Sequence, residues 1–177
     1  EKDPANAAWQ RGLAVSHSLV GDVLLAQGHR AESAAAYETY RVICQGLAEQ
    51  DPTNTDWKRE LARSHTKVGD VRLALMDLEG ALSAHEAAQQ ILTRLLDQDP
   101  ANTGWQHELA LSQCRKGDVL ARLGNLPGAM TAYENYLGVS QKLAAQDSAN
   151  ATWQRDLALG YRKIGDMRLA HRDSTQA

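Results

Sequence analysis

The chain has 177 residues, a formal net charge of −3 and 43% hydrophobic residues, with no Phe and only 5% aromatics. Its apolar content is mostly Ala and Leu, which suits close helix packing, while Val, Ile and Thr are too sparse for many strands. The weak net charge supplies no basic field for nucleic acid, and no apolar run reaches the ~20 residues of a membrane span.

The chain begins Glu1-Lys2-Asp3-Pro4. No signal peptide and no initiator Met open it, so it reads as a segment of a longer protein. Asp-Pro is a break, because Pro lacks an N–H and biases the residue before it away from helix. Asn6 follows as a candidate N-cap. Helical spacing then carries Trp9 and Leu13 through Gly21-Asp22 towards Gly28, where a left-handed C-terminal turn fits. A second helix follows, with an apolar face of Ala36, Tyr40, Ile43 and Leu47.

The next Asp-Pro, Asp51-Pro52, starts the pattern again. Asn54 leads into a stripe of Trp57, Leu61, Ala62, Val68, Gly69 and Leu73, about 20 residues or ~30 Å of helix. The third cycle runs from Asp99-Pro100 through Asn102, Trp105, Leu109, Gly117-Asp118 and Gly124. Its second helix has Pro127 at the expected first helical position and the face Ala132, Tyr136, Val139, Leu143. A fourth cycle begins at Asp147-Ser148 and contains Asn150, Trp153, Leu157 and Gly165-Asp166.

Every column recurs with a period of 48, as Trp9, Trp57, Trp105 and Trp153 show. The expectation is one repeat domain over 1–177, with units 3–50, 51–98 and 99–146 and a partial unit 147–177. The fold class follows: all-α, an α-solenoid of antiparallel helix hairpins wound as a right-handed superhelix, with three full repeats and one extra first helix. A single hairpin cannot bury both apolar faces, but stacked hairpins can. Gly21, Gly69, Gly117 and Gly165 fall mid-helix, where Gly costs roughly 1 kcal/mol against Ala. A cost repeated in every unit predicts close contact with the paired helix.

From Gly117, a Gly lies seven on (Gly124), an Ala twelve on (Ala129) and a Tyr sixteen on (Tyr133). This spacing resembles the tetratricopeptide repeat, and the resemblance covers the whole chain. The first unit keeps Gly21, Gly28 and Tyr37 with Ser33 for the Ala; the second keeps Gly69 and Ala81 but has Met76 and His85. The usual repeat has about 34 residues. The longer period here adds about two turns to each helix, as in the long repeats of multidomain bacterial signalling and regulatory proteins. The resemblance implies binding of peptides or proteins in a concave groove lined by the first helices.

In that family the groove-facing stripe centres on the repeated acid, here Asp22, Asp70, Asp118 and Asp166. Four residues earlier stand Ser18, Thr66, Cys114 and Arg162; seven earlier, Val15, Arg63, Leu111 and Leu159; eleven earlier, Arg11, Arg59, His107 and Arg155. Two roles are open for the acids. They can contact a ligand, or they can pair with Lys67, Arg115 or Lys163 of the adjacent unit. Chaperone-binding family members grip a C-terminal carboxylate with a Lys/Asn clamp, and Asp in place of that Asn would repel a carboxylate. The expected partner is therefore a peptide or protein segment of basic or mixed charge.

The Trp column reads as packing. His17 and His65 share a register, but no metal site is expected of them. Cys44 and Cys114 sit outside any Cys-x-x-Cys motif, and as free thiols they suit a reducing, cytoplasmic compartment. The chain has no Gly-rich phosphate loop, His-Glu-x-x-His or nucleophile elbow, so neither an enzyme nor a cofactor is expected. The leading function is a protein- or peptide-binding scaffold. The alternative is a self-assembly or regulatory module, with a homo-oligomer formed through the exposed terminal helix at 151–171 and its apolar residues Leu157, Ile164 and Leu169.

Overall fold

The computed structural model describes the backbone of residues 6–176 and the side chains of residues 6–169. Asp3-Pro4 lies outside the described residues. Among them are seven helices: α1 (Ala7–Ala26), α2 (Arg30–Gln50), α3 (Thr55–Ala74), α4 (Leu78–Gln98), α5 (Thr103–Arg122), α6 (Leu126–Gln146) and α7 (Ala151–Gln176). The fold is all-α, with sequential helices packed as antiparallel pairs. Packing divides it into two compact units, residues 1–98 and 99–177. In the first, α1 pairs with α2 and α3 with α4, and α3 also packs on α2. In the second, α5 pairs with α6, and α7 packs on α6.

Local chemistry sets the helix starts. Asn6 Oδ1 accepts from the backbone N–H groups of Ala8 and Trp9, and Asn54 and Asn102 accept from Trp57 and Trp105. Asn150 accepts from Thr152 and Trp153. Each cap satisfies donors that the helix leaves orphaned, a stabilisation of ~1 kcal/mol per cap. The Asp residues before them fold the connection: Asp51, Asp99 and Asp147 accept from the N–H two residues on. In α6 the cap is Asn125 and the helix opens on Leu126, so Pro127 takes the second position rather than the expected first.

Inside each hairpin the turn passes through a left-handed residue. Gly28 has φ +85° and Gly124 φ +78°. The residue between them in register is Met76, with φ +64° and its side chain exposed. The backbone bond closing each turn is the same: His29 N–H to Leu24, Asp77 to Arg72 and Asn125 to Leu120.

Side chains of α2 and α6 fill both cores. Ala36, Tyr40 and Leu47, with Ala132, Tyr136 and Leu143, are buried as expected; Ile43 and Val139 are half-buried. Tyr40 and Cys44 cluster with Ala14 of α1 and Leu61 of α3. Tyr37 clusters with Val68 and Val71 of α3 and Ala84 of α4. None of the Trp rings reaches the core: Trp9 is exposed, and Trp57, Trp105 and Trp153 are half-buried.

The terminal helix differs from expectation. Ile164 is buried where α7 meets α6, Leu157 is half-buried, and only Leu169 of the three is exposed. The broad open apolar face lies on α1 instead, where Leu13, Val20 and Val23 are each about half or more exposed.

Met76 holds a conformation that costs an ordinary L-residue roughly 1–2 kcal/mol and glycine far less. Met76→Gly is therefore expected to raise unfolding stability by about 0.5–1 kcal/mol in urea titration, with an unchanged m-value.

Candidate functional site

The repeated Gly-Asp pair is the starting point. Gly21 leaves the α1 backbone bare, and the Tyr37 ring of α2 lies against it; a Cβ built at Gly21 would come within 2.5 Å of Tyr37 Cε1. Ser33 Oγ, one turn before Tyr37, donates to the Gly21 carbonyl at 2.8 Å. With the ring so placed, its hydroxyl donates to Asp22 Oδ1 at 2.5 Å. Lys67 reaches from α3 to the same oxygen at 2.5 Å, with its ammonium 5.6 Å from the Tyr37 ring centre. One glycine thus joins three helices.

The second unit repeats the cluster. Gly117 accepts the Tyr133 ring, and Tyr133 donates to Asp118 at 2.6 Å. Lys163 of α7 donates to Asp118 at 2.5 Å and lies 5.4 Å from the ring centre. A variant occurs at Gly69, where His85 takes the ring position and its Nε2 lies 3.8 Å from Asp70 Oδ1. At Gly165 a Cβ would meet nothing within 4 Å among the described residues.

Electrostatics follow from this geometry. Burial alone would raise the Asp22 pKa, but hydrogen bonds from Lys67 and Tyr37 and the Lys67 charge outweigh it and hold the carboxyl below its ordinary value. Burial and the bond to Asp22 push the Tyr37 hydroxyl well above its ordinary range; burial and Asp118 do the same to Tyr133.

A second acidic column, which sequence reasoning missed, ties successive hairpins together. Tyr40 of α2 donates to Glu60 of α3 at 2.7 Å. At the corresponding place in the second unit stands Asp156, buried on α7, with His107 Nε2 of α5 at 2.6 Å from its Oδ2. Burial, then the Asp156 charge, raise the Tyr136 hydroxyl. The signal was present in the sequence: Glu60, Glu108 and Asp156 share a register, and Gly12 breaks it.

The expected site residues therefore separate. Asp22 and Asp118 carry bonds to lysine and tyrosine, and Asp70 lies against His85. His107 lies in the pair with Asp156, while Arg11 and Arg155 of the same column are exposed and Arg59 is half-buried. Arg63 donates to Glu60 one turn away, and Thr66 bonds the Ala62 carbonyl of its own helix. Ser18 is half-buried; Arg162 and Asp166 are exposed. Cys114, expected on the groove face, is buried instead, although its register mates Ser18 and Thr66 are half-buried and Arg162 is exposed. Burial, then Asp118, push its thiol up to about 11. Cys44 is also buried, and burial followed by Glu60 pushes it up to about 12.

His17 is half-buried on α1. His65 lines a cleft of about 220 Å³ between α2, α3 and α4, beside the Glu38–Arg41 ion pair and Arg72. Burial, then Arg41, lower the His65 pKa. Among the described residues no group of three or more His, Cys, Asp or Glu is placed to hold a metal, and no helix is long and apolar enough to cross a membrane.

These features can be set beside known proteins. No protein-family model and no curated protein sequence matches the chain. Among solved structures, it is similar to BtubC (BKLC) from P. vanneervenii, with a TM-score of 0.62 and 15% identity. That match covers 92% of this chain and 61% of the other, so the chain spans less than two thirds of that structure. A second similar structure is the first TPR of Spaghetti (RPAP3) bound to the HSP90 peptide SRMEEVD, with a TM-score of 0.45 and 16% identity, covering 87% of this chain and 94% of that one. At such identity the likeness to the first of these concerns the fold alone: an all-helical arrangement of paired helices.

Asp22 provides a pH test. Its folded pKa is depressed, so its stabilisation is present above the unfolded value near 4 and is lost as pH falls through the folded value. Lys67→Met is expected to destabilise by about 1 kcal/mol at neutral pH, in keeping with a half-exposed pair. The gap between variant and parent, measured by urea unfolding, should close in acid as Asp22 protonates.

Proposed function

We propose that the chain is a protein-binding scaffold that takes a peptide or protein segment along the exposed sides of its first helices. The observation supporting this is the recurrence of one polar cluster. Asp, Tyr and Lys stand in the same arrangement on α1–α3 and again on α5–α7, partly open to solvent. Such clusters lock the helices, and they offer a partner a surface whose charges are already largely neutralised. The residues that would read the partner flank them: Ser18, Arg63 and Thr66 in the first unit, Arg155, Arg162 and Asp166 in the second, Arg63 while also donating to Glu60.

The flanking groups carry both signs, so the partner is of mixed charge. Catalysis would need unlike groups brought into one asymmetric site; here the same group recurs by register. Selection from a displayed random-peptide library tests the reading. Enriched peptides should bind the parent with micromolar Kd and lose at least ~10-fold in affinity to Arg63→Ala or Arg162→Ala, which leave thermal unfolding unchanged. Failure to enrich any peptide, or binding indifferent to both substitutions, would contradict it.

A further inference from the structure

We propose that the cleft between α2, α3 and α4 is an oxyanion-binding site, built to take the dianionic phosphate group of a small phosphate ester or a phosphorylated side chain. Arg41 of α2 and His65 and Arg72 of α3 stand on its walls, and Glu38 is the one acid among its described lining residues. Ala84 and Ala87 of α4 are too short to fill the space, which leaves about 220 Å³. The cleft lies away from the surface proposed for a peptide. On α3 its residues His65, Val68 and Arg72 form a stripe about 100° round the helix from Arg63, Thr66 and Asp70.

The cleft already gathers cations round one anion. Arg41 turns Nε and Nη2 to a single Glu38 oxygen, Oε1, at 3.0 and 2.6 Å. Those bonds lead in holding the Glu38 carboxyl below its ordinary value; burial opposes them, and the charges of Arg41, Arg72 and His65 add to them. At His65, burial and then the Arg41 charge lower the imidazole pKa, Glu38 opposes them less, and Arg72 adds to them. Positive potential therefore prevails on the α3 wall even with Glu38 in place. Arg72 is loosely engaged: Nη1 reaches the Gly80 carbonyl at 3.4 Å, and Nε lies 3.9 Å from the exposed Asp77. A guanidinium carries five N–H donors, so Arg72 has several to offer a ligand, and Arg41 has those of Nη1.

Repetition does not account for this set. Residues that pack the array recur every 48 positions, but Arg41 is matched by Gln89 and Leu137, and His65 by His17, Gln113 and Tyr161. Arg72 is matched by Leu24, Leu120 and Arg168. No other step of the array carries the three cations together. The ligand must also outdo Glu38. A monocarboxylate would compete with it charge for charge, and without its tether one turn from Arg41. A phosphate dianion brings nearly twice the charge and three acceptor oxygens, which suits it to bridge two guanidinium groups.

Titration of the chain with inorganic phosphate at neutral pH, followed by the His65 imidazole signals in NMR and by calorimetry, should give one site with a Kd on the order of 1 mM or tighter. Arg41→Gln and Arg72→Gln should each weaken it at least ~10-fold, as the loss of a charge-assisted bond implies, with the helical circular dichroism kept. Glu38→Gln should tighten it several-fold by removing the resident competitor, an effect that a purely structural ion pair would not produce. Arg168→Gln, at the exposed register mate of Arg72 on α7, should change nothing. N-acetyl-phosphoserine amide separates the sources: tighter binding than inorganic phosphate assigns a phosphorylated side chain, and equal or weaker binding assigns free phosphate or a small ester. No response of His65 at tens of millimolar phosphate, binding that survives both arginine substitutions, or weaker binding to Glu38→Gln would each overturn the proposal.

Discussion

The structure depends on an aromatic ring laid on a bare helix backbone. Gly21 and Gly117 stand where helix propensity alone would choose Ala, and a Cβ at either would collide with Tyr37 or Tyr133. The loss of ~1 kcal/mol in propensity at each position is offset by burial of a whole ring, a contribution of roughly 1.5–3 kcal/mol or more. The glycine therefore serves the packing between two helices at the expense of one.

The Asp–Lys cluster of the site follows from that ring. Its hydroxyl lands on the acid that neighbours the glycine in sequence, and the acid in turn receives a lysine from the next first helix. A hairpin contact thereby becomes a contact between hairpins. Where His85 replaces tyrosine, the ring still fills the glycine slot, but the nearest approach to Asp70 stretches to 3.8 Å. The slot tolerates a change of ring more readily than the hydrogen bond does.

Much of this was legible in the sequence because repetition exposes it. The Asn columns gave the helix starts, and mid-helix glycines at a fixed interval implied a close neighbour. The pairing of Asp22 with Lys67 was one of two readings, and spacing alone could not choose between them. That choice required knowing that Tyr37 delivers a second donor to the same oxygen. Cys114 was misplaced because a small residue in a register column says little about which side of the helix is covered. Glu60 and Asp156 were missed for a different reason: their column is broken at Gly12, and a broken column looks like surface variation until its neighbours are seen. Ile164 could not be told from an open apolar position by sequence, since apolar helix positions read alike; only packing shows that it is buried.

The Tyr37 ring is what requires a glycine at position 21, and a double-mutant cycle at Gly21 and Tyr37 measures this directly. In the parent, Gly21→Ala should destabilise by about 2 kcal/mol or more through overpacking. In a Tyr37→Ala background the same change should become neutral or stabilising by up to ~1 kcal/mol, as propensity reasserts itself. A Gly21→Ala effect of the same sign and size in both backgrounds would contradict the account.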